Sequence, residues 1–142
     1  MKIAIAADHG GYDLKEQLKK HYADADLLDL GTYSADSVDY PDYAGKMAHT
    51  ILDKEADLGI LICGTGIGVS IAANRYKGIR AALLYSTEAA RLAKAHNNAN
   101  VLVFGGRTMA VDDVINRIDT FMQTSYEDGR HQRRLDKMDN ME

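Results

Sequence analysis

Leu58 to Cys63 reads LGILIC, a run without a charged or amide side chain, and Gly64-Thr65-Gly66-Ile67-Gly68 stops it at once. A strand with one wet face alternates polar and apolar residues. A short unbroken apolar run ended by a turn signal is therefore a strand covered on both faces. Such a strand belongs to a parallel sheet with helices packed on either side. A helix is expected to open at about Val69 and to end by Gly78.

The rest of the chain keeps this alternation. Lys2 to Ala7 is an apolar strand closed by Asp8-His9-Gly10-Gly11, after which Leu14, Leu18 and Tyr22 recur at helical spacing. Leu27 to Leu30 is a second strand, ended by Gly31. Thr32 to Asp42 is polar, holds the only proline, Pro41, and reads as the longest loop. A helix from about Tyr43 to Lys54 leads into the central strand. Arg80 to Tyr85 forms a fourth strand, Ser86-Thr87 caps a helix through Ala95, and Asn100 to Phe104 forms a fifth strand ended by Gly105-Gly106. Val111, Val114, Ile115, Ile118 and Met122 mark a long amphipathic helix, and a tail runs from Tyr126 to Glu142. Right-handed crossovers turn this order into an α/β domain, a three-layer α/β/α Rossmann-like fold on a five-stranded parallel sheet, with residues 1–142 forming a single unit.

In such sheets ligands sit beyond the carboxyl ends of the strands. Asp8-His9, Cys63-Gly64-Thr65 and Gly105-Gly106-Arg107 all fall there. Gly64, Gly66 and Gly68 allow backbone N–H groups to converge as an anion cradle beside a helix start. The spacing is neither a P-loop, because no Lys-Ser/Thr follows, nor the dinucleotide fingerprint, which it misses by one residue. Cys63, the only cysteine, stands at the lip, where such donors favour thiolate and make it a candidate base or nucleophile. A lone cysteine also serves as a small buried hydrophobe.

Other polar residues carry two readings each. Asp8 and His9 suit an acid/base pair, and an aspartate at a strand end also caps a following helix. His96, before Asn97 and Asn98 at a helix end, can complement the helix dipole. Glu88 lies near the distance of a ribose-binding acid, yet its place is the first turn of a helix, where carboxylates are favoured. His21 and His49 read as surface or packing residues. Metal binding is disfavoured, since no two histidines have helical or finger-type spacing. The tail holds Arg130-His131-Gln132-Arg133-Arg134; Arg130 and Arg134 share a helix face and, with Arg107, suit a phosphate dianion.

Net charge is -4, which argues against a global attraction to nucleic acid. One cysteine suits a reducing cytoplasm, and no apolar run has the length of a membrane span, so a soluble cytoplasmic protein is expected. Taken together, these features describe a site for a small phosphorylated ligand.

AADHGG (Ala6 to Gly11), DYPDYA (Asp39 to Ala44), ILICGTGIGVSIAANR (Ile60 to Arg75), AHNNANVL (Ala95 to Leu102) and GRHQRR (Gly129 to Arg134) span the chain in order. In these motifs the sequence resembles the type B ribose-5-phosphate isomerases, a family that includes allose-6-phosphate isomerases and the paired subunits of galactose-6-phosphate isomerase. The resemblance implies strand order 2-1-3-5-4 and interconversion of ribose 5-phosphate and ribulose 5-phosphate through a cis-enediolate, in the non-oxidative pentose phosphate branch, without cofactor or metal. It implies Cys63 as the base between C1 and C2, Thr65 as a proton relay, and N–H groups from Gly64 to Gly68, including Gly66, as oxyanion donors. His96 with Asp8 would open the sugar ring. His9, Arg107, Arg130 and Arg134 would hold the phosphate, and Tyr40 and Asn97 the sugar. The family assembles this site across a homodimer, with tetramers as a further assembly. One subunit would give the Cys63 loop and its partner His96 and Arg107, the tail completing the phosphate site or the interface. Some relatives replace the cysteine by a carboxylate, and the galactose enzyme splits the set between unlike chains. This chain keeps the full set. The other readings are a six-carbon substrate such as allose 6-phosphate, and a phosphate- or nucleotide-binding module without catalysis.

Overall fold

In the computed structural model, which describes residues 1–141, the strands are β1 (Lys2–Ala7), β2 (Asp26–Asp29), β3 (Leu58–Cys63), β4 (Ala81–Leu83) and β5 (Val101–Gly105). The helices are α1 (Tyr12–His21), α2 (Tyr40–Leu52), α3 (Ile67–Ala73), α4 (Thr87–Ala95), α5 (Val111–Gln123) and α6 (Arg130–Asp139). All strand pairs are parallel, in the order β2-β1-β3-β5-β4. Every residue of β3 is buried, as the apolar run requires.

Alternate residues of the central strands feed two separate cores. Ile5, Ile60, Ile62, Leu102 and Phe104 face α1, α4 and α5 through Leu14, Leu18, Ala90, Val114, Ile118 and Phe121. Ala4, Ala6, Leu61, Cys63, Val101 and Val103 face α2 and α3 through Ala44, Met47, Ala48, Val69 and Ala73. Gly59 is the exception in the β3 run because a Cβ there would strike Met47 Sδ, so the bare backbone lets α2 settle on the sheet.

Several element boundaries differ from the sequence-based expectation. α2 begins at Tyr40, not near Tyr43, which moves Pro41 out of the loop and into the first helical turn. Proline fits there because its missing N–H has no intrahelical partner in any case. α3 opens at Ile67 and stops at Ala73, far short of Gly78, because the Asn74 side chain takes over as a tether: its Oδ1 accepts from Ala81 N–H at 2.8 Å and its Nδ2 donates to Ala81 C=O at 2.9 Å. β4 is only three residues, as befits an edge strand. Ser86 caps α4 as expected, its Oγ accepting from Ala89 N–H at 3.0 Å. Glu88 lies in the first turn of that helix.

The order 2-1-3 creates a switch point. Leaving β1 the chain passes to α1 on one face, and leaving β3 it passes to α3 on the other, so a crevice opens between their carboxyl ends. Among the described residues no helix is long and apolar enough to cross a membrane.

Candidate active site

The turns after β1, β3 and β5 are bound to one another. Asp8 N–H donates to Ile62 C=O at 3.2 Å, Gly106 N–H to Cys63 C=O at 2.8 Å, and Arg107 N–H to Gly64 C=O at 2.9 Å. Contact is close enough that a Cβ on Gly10 would stand 2.9 Å from Gly64 N, and one on Gly106 would stand 2.5 Å from Gly10 O. Two glycines in the β1 turn and two in the β5 turn are what permit this approach.

Cys63 is buried, and its Sγ accepts from Gly66 N–H at 3.2 Å. Gly66 can aim that N–H because its φ is 82°, in the left-handed region open to glycine. The Thr65 hydroxyl oxygen accepts from Ile67 N–H at 3.2 Å, which leaves its proton free to donate, and Thr65 is exposed. Two of the five N–H groups of the cradle are therefore already engaged. Those of Gly64, Thr65 and Gly68 have no partner among the described residues. With only seven residues, α3 adds little dipole, so the cradle rests on individual N–H groups.

Asp8 is buried, and its Oδ1 accepts from Gly10 and Gly11 N–H at 2.9 and 3.2 Å. That atom ties the turn; Oδ2 stays available. His9 Nδ1 accepts from Val38 N–H at 3.2 Å, so the proton of the neutral ring resides on Nε2, which is left to donate. The Tyr40 ring lies over Gly68, where a Cβ would be 2.7 Å from its Cζ. The Arg107 guanidinium lies beside Gly64, with its Nη1 3.4 Å from the position of a Cβ there. Arg107 is thus beside the Cys63 turn of its own chain.

Asp8, His9, Tyr40, Cys63, Thr65, the three glycines and Arg107 form one group. The remaining candidates lie on α4, its end and α6, and among the described residues no hydrogen bond or ion pair joins them to this group. His96 caps the end of α4, Asn97 follows it exposed, and Arg130 and Arg134 stand exposed on one side of α6, whose adjoining side buries His131 and Leu135. The tail docks through Glu127 N–H on Ala95 C=O at 3.0 Å and through an Arg80–Asp139 pair at 3.5 Å.

Sequence reasoning missed what lies around His96. Its ring stacks on His131 with centroids 4.2 Å apart, and Glu127 sits 3.7 Å from one and 3.5 Å from the other. The spacing rule that disfavours a metal counts neighbours along the chain, whereas the fold unites residues 35 positions apart, the interval from His96 to His131. The four-residue step from Glu127 to His131 was the only readable signal.

The fold and this strand-end site define a class: an α/β protein that handles a small anionic ligand at a topological switch point. The model of the ribose/galactose isomerase family matches residues 3–138, and the chain belongs to that family. It is similar to ribose-5-phosphate isomerase B of Escherichia coli, 42% identical over 137 residues, covering 95% of this chain and 92% of that protein. The solved structure of a ribose 5-phosphate isomerase from Thermotoga maritima superposes with a TM-score of 0.96 at 53% identity, covering 99% and 98% of the two chains. A ribose-5-phosphate isomerase B from Mycoplasma genitalium with bound ribulose-5-phosphate superposes with a TM-score of 0.91 at 44% identity, covering 97% and 93%.

Proposed function

We infer that the protein is an isomerase interconverting D-ribose 5-phosphate and D-ribulose 5-phosphate. The observation that carries the reading is the Cys63 turn, a buried sulfur with one N–H aimed at it and three more unpaired beside it, flanked by Arg107. A phosphate- or nucleotide-binding module has no use for that sulfur.

Isomerisation needs a base that carries a proton between C1 and C2, and donors for the oxygen that gains charge. Cys63 is the base. Gly64, Thr65 and Gly68 N–H groups serve the enediolate oxygen, while Gly66 N–H holds the sulfur. The free Thr65 hydroxyl proton moves between the two substrate oxygens. Asp8 Oδ2 and His96 open the sugar ring. His9 Nε2–H, Arg107, Arg130 and Arg134 bind the phosphate, and Tyr40 and Asn97 contact the sugar hydroxyls.

His96, Asn97 and the α6 arginines make no hydrogen bond or ion pair to the Cys63 group among the described residues, and in this reading a second copy brings them to it in a homodimer. Ile67 and Ile71, 54% and 60% exposed on α3 beside the Cys63 turn, support such pairing. A single cysteine suits a cytoplasmic setting.

The test is conversion of ribose 5-phosphate in excess EDTA, with Cys63→Ala in parallel and allose 6-phosphate as second substrate. Wild type turns over unaffected by EDTA, and the variant loses roughly a hundredfold or more, the scale of one acid–base group. Rapid turnover by Cys63→Ala removes the base. Preference for allose 6-phosphate reassigns the sugar.

A further inference from the structure

We propose that His96, Glu127 and His131 form a binding site for a borderline divalent cation of the Zn2+ class, and that filling it withdraws His96 from sugar-ring opening. Each residue offers one ligand atom, and the three atoms lie within 4.8 Å of one another. Two imidazoles and a carboxylate are the donor types that a zinc ion takes, with water completing the shell.

The two Glu127 distances are near the span that a shared cation sets, and the widest separation of the three atoms, within 4.8 Å, must shorten to reach it. Glu127 Oε1 is 3.5 Å from His131 Nε2 and 3.7 Å from His96 Nε2, too far for good hydrogen bonds. A tetrahedral ion with bonds of about 2.0–2.2 Å separates its ligand atoms by roughly 3.3–3.6 Å. An independent observation points the same way: His131 is 6% exposed, and its Nε2 is the only buried side-chain nitrogen or oxygen among the described residues with no hydrogen-bond partner. A buried acceptor left unpaired is costly, and a cation satisfies it.

Closure requires one movement. The stacked rings are 15° from parallel, so their lone pairs run side by side rather than meeting. His131 is fixed in the α6 core contact, whereas His96 is 37% exposed at a helix end and can tilt toward the ion. Arg91, the nearby cation of α4, is already engaged by Glu88 at 2.7 Å. A tilted, metal-bound imidazole has its Nε2 occupied and no longer carries a proton there. Inhibition depends on the ring-opening role proposed above for His96; binding does not.

The probe is Co2+, added to the EDTA-stripped full chain and followed by the visible absorption of the four-coordinate ion, with Zn2+ as competitor. Wild type and Cys63→Ala should bind one Co2+ per chain, displaced by Zn2+. Glu127→Gln and His131→Gln should weaken binding by more than the roughly tenfold to hundredfold seen when an outer-shell partner is lost. Glu127 is half exposed, so its variant tests the site even if the buried His131 variant fails to fold. Zn2+ should slow the wild-type isomerase reversibly and leave Glu127→Gln at that variant's own metal-free rate. No visible band in wild type, or equal binding by Glu127→Gln, overturns the site. Binding without inhibition supports the site and removes His96 from ring opening instead.

Discussion

Gly10→Ala tests whether the three strand-end turns are a fitted unit. The added Cβ would stand 2.9 Å from Gly64 N and 3.0 Å from Gly64 Cα, against 3.4 Å or more for ordinary contact. Both obstacles are backbone, so no rotamer relieves them, and the turns must part by about half an ångström. Overpacking of this kind costs about 1–3 kcal/mol, partly offset by about 0.4–1 kcal/mol from the stiffer unfolded chain. A net loss near 1 kcal/mol lowers Tm by roughly 3 °C in a chain of this size. Catalysis should suffer more than stability. Misplacement by an ångström costs on the order of a hundredfold, so half of that costs about tenfold in kcat. Gly64→Ala is the stability control, since its Cβ meets only the flexible end of Arg107, and its Tm should stay at the wild-type value. Thermal melts and turnover of ribose 5-phosphate are the assays. Wild-type kcat and Tm in Gly10→Ala would refute the idea that these turns cannot separate without loss.

Asp29→Ala should destabilise by about 3–5 kcal/mol, read as a lower urea midpoint, because Lys15 is fully buried and its Nζ lies 2.8 Å from that carboxylate. Adding Lys15→Met should restore most of the loss, and a single-variant cost below about 1 kcal/mol would count against an ion left uncompensated. Burial pushes the Asp29 carboxyl up, but Lys15, Lys19 and Gly31 N–H outweigh it and hold it below its ordinary 3.8. A lowered carboxylate stabilises the fold fully above that unfolded value, and the contribution disappears as pH falls below 3.8 through the folded value. Urea midpoints measured down through this window should fall more steeply for wild type than for Asp29→Asn, and parallel curves would contradict the assignment. Ser86→Ala removes the α4 cap and should cost about 1 kcal/mol in the same assay.

The parts of this molecule that could be read from the sequence are those where local chemistry and tertiary structure agree. LGILIC could only be a covered strand, and Ser86 could only begin a helix. The stripes at Leu14 and Leu18 and from Val111 to Met122 fixed α1 and α5. Where the sequence misled, a distant contact decided. Pro41 looked like loop punctuation, yet it lies in the first turn of α2. Asn74 ended α3 early by bonding to Ala81, seven residues on. The site divided in the same way: Asp8, Cys63 and Arg107 were legible because strand ends converge by topology. The His96–Glu127–His131 group was not, because it depends on how the tail packs in three dimensions.

The turn that carries Cys63 is pinned through its own carbonyls to the turn after β5, while Arg130 and Arg134 ride on a terminal helix attached through one buried face. Hydrogen bonds between turns are thus concentrated around the Cys63 sulfur, and Arg130 and Arg134 belong to a separate attachment. Under the proposed reading, substitutions along α6 can retune which sugar phosphate is retained without moving the sulfur or its donors. A lineage of such chains could change diet while keeping its chemistry.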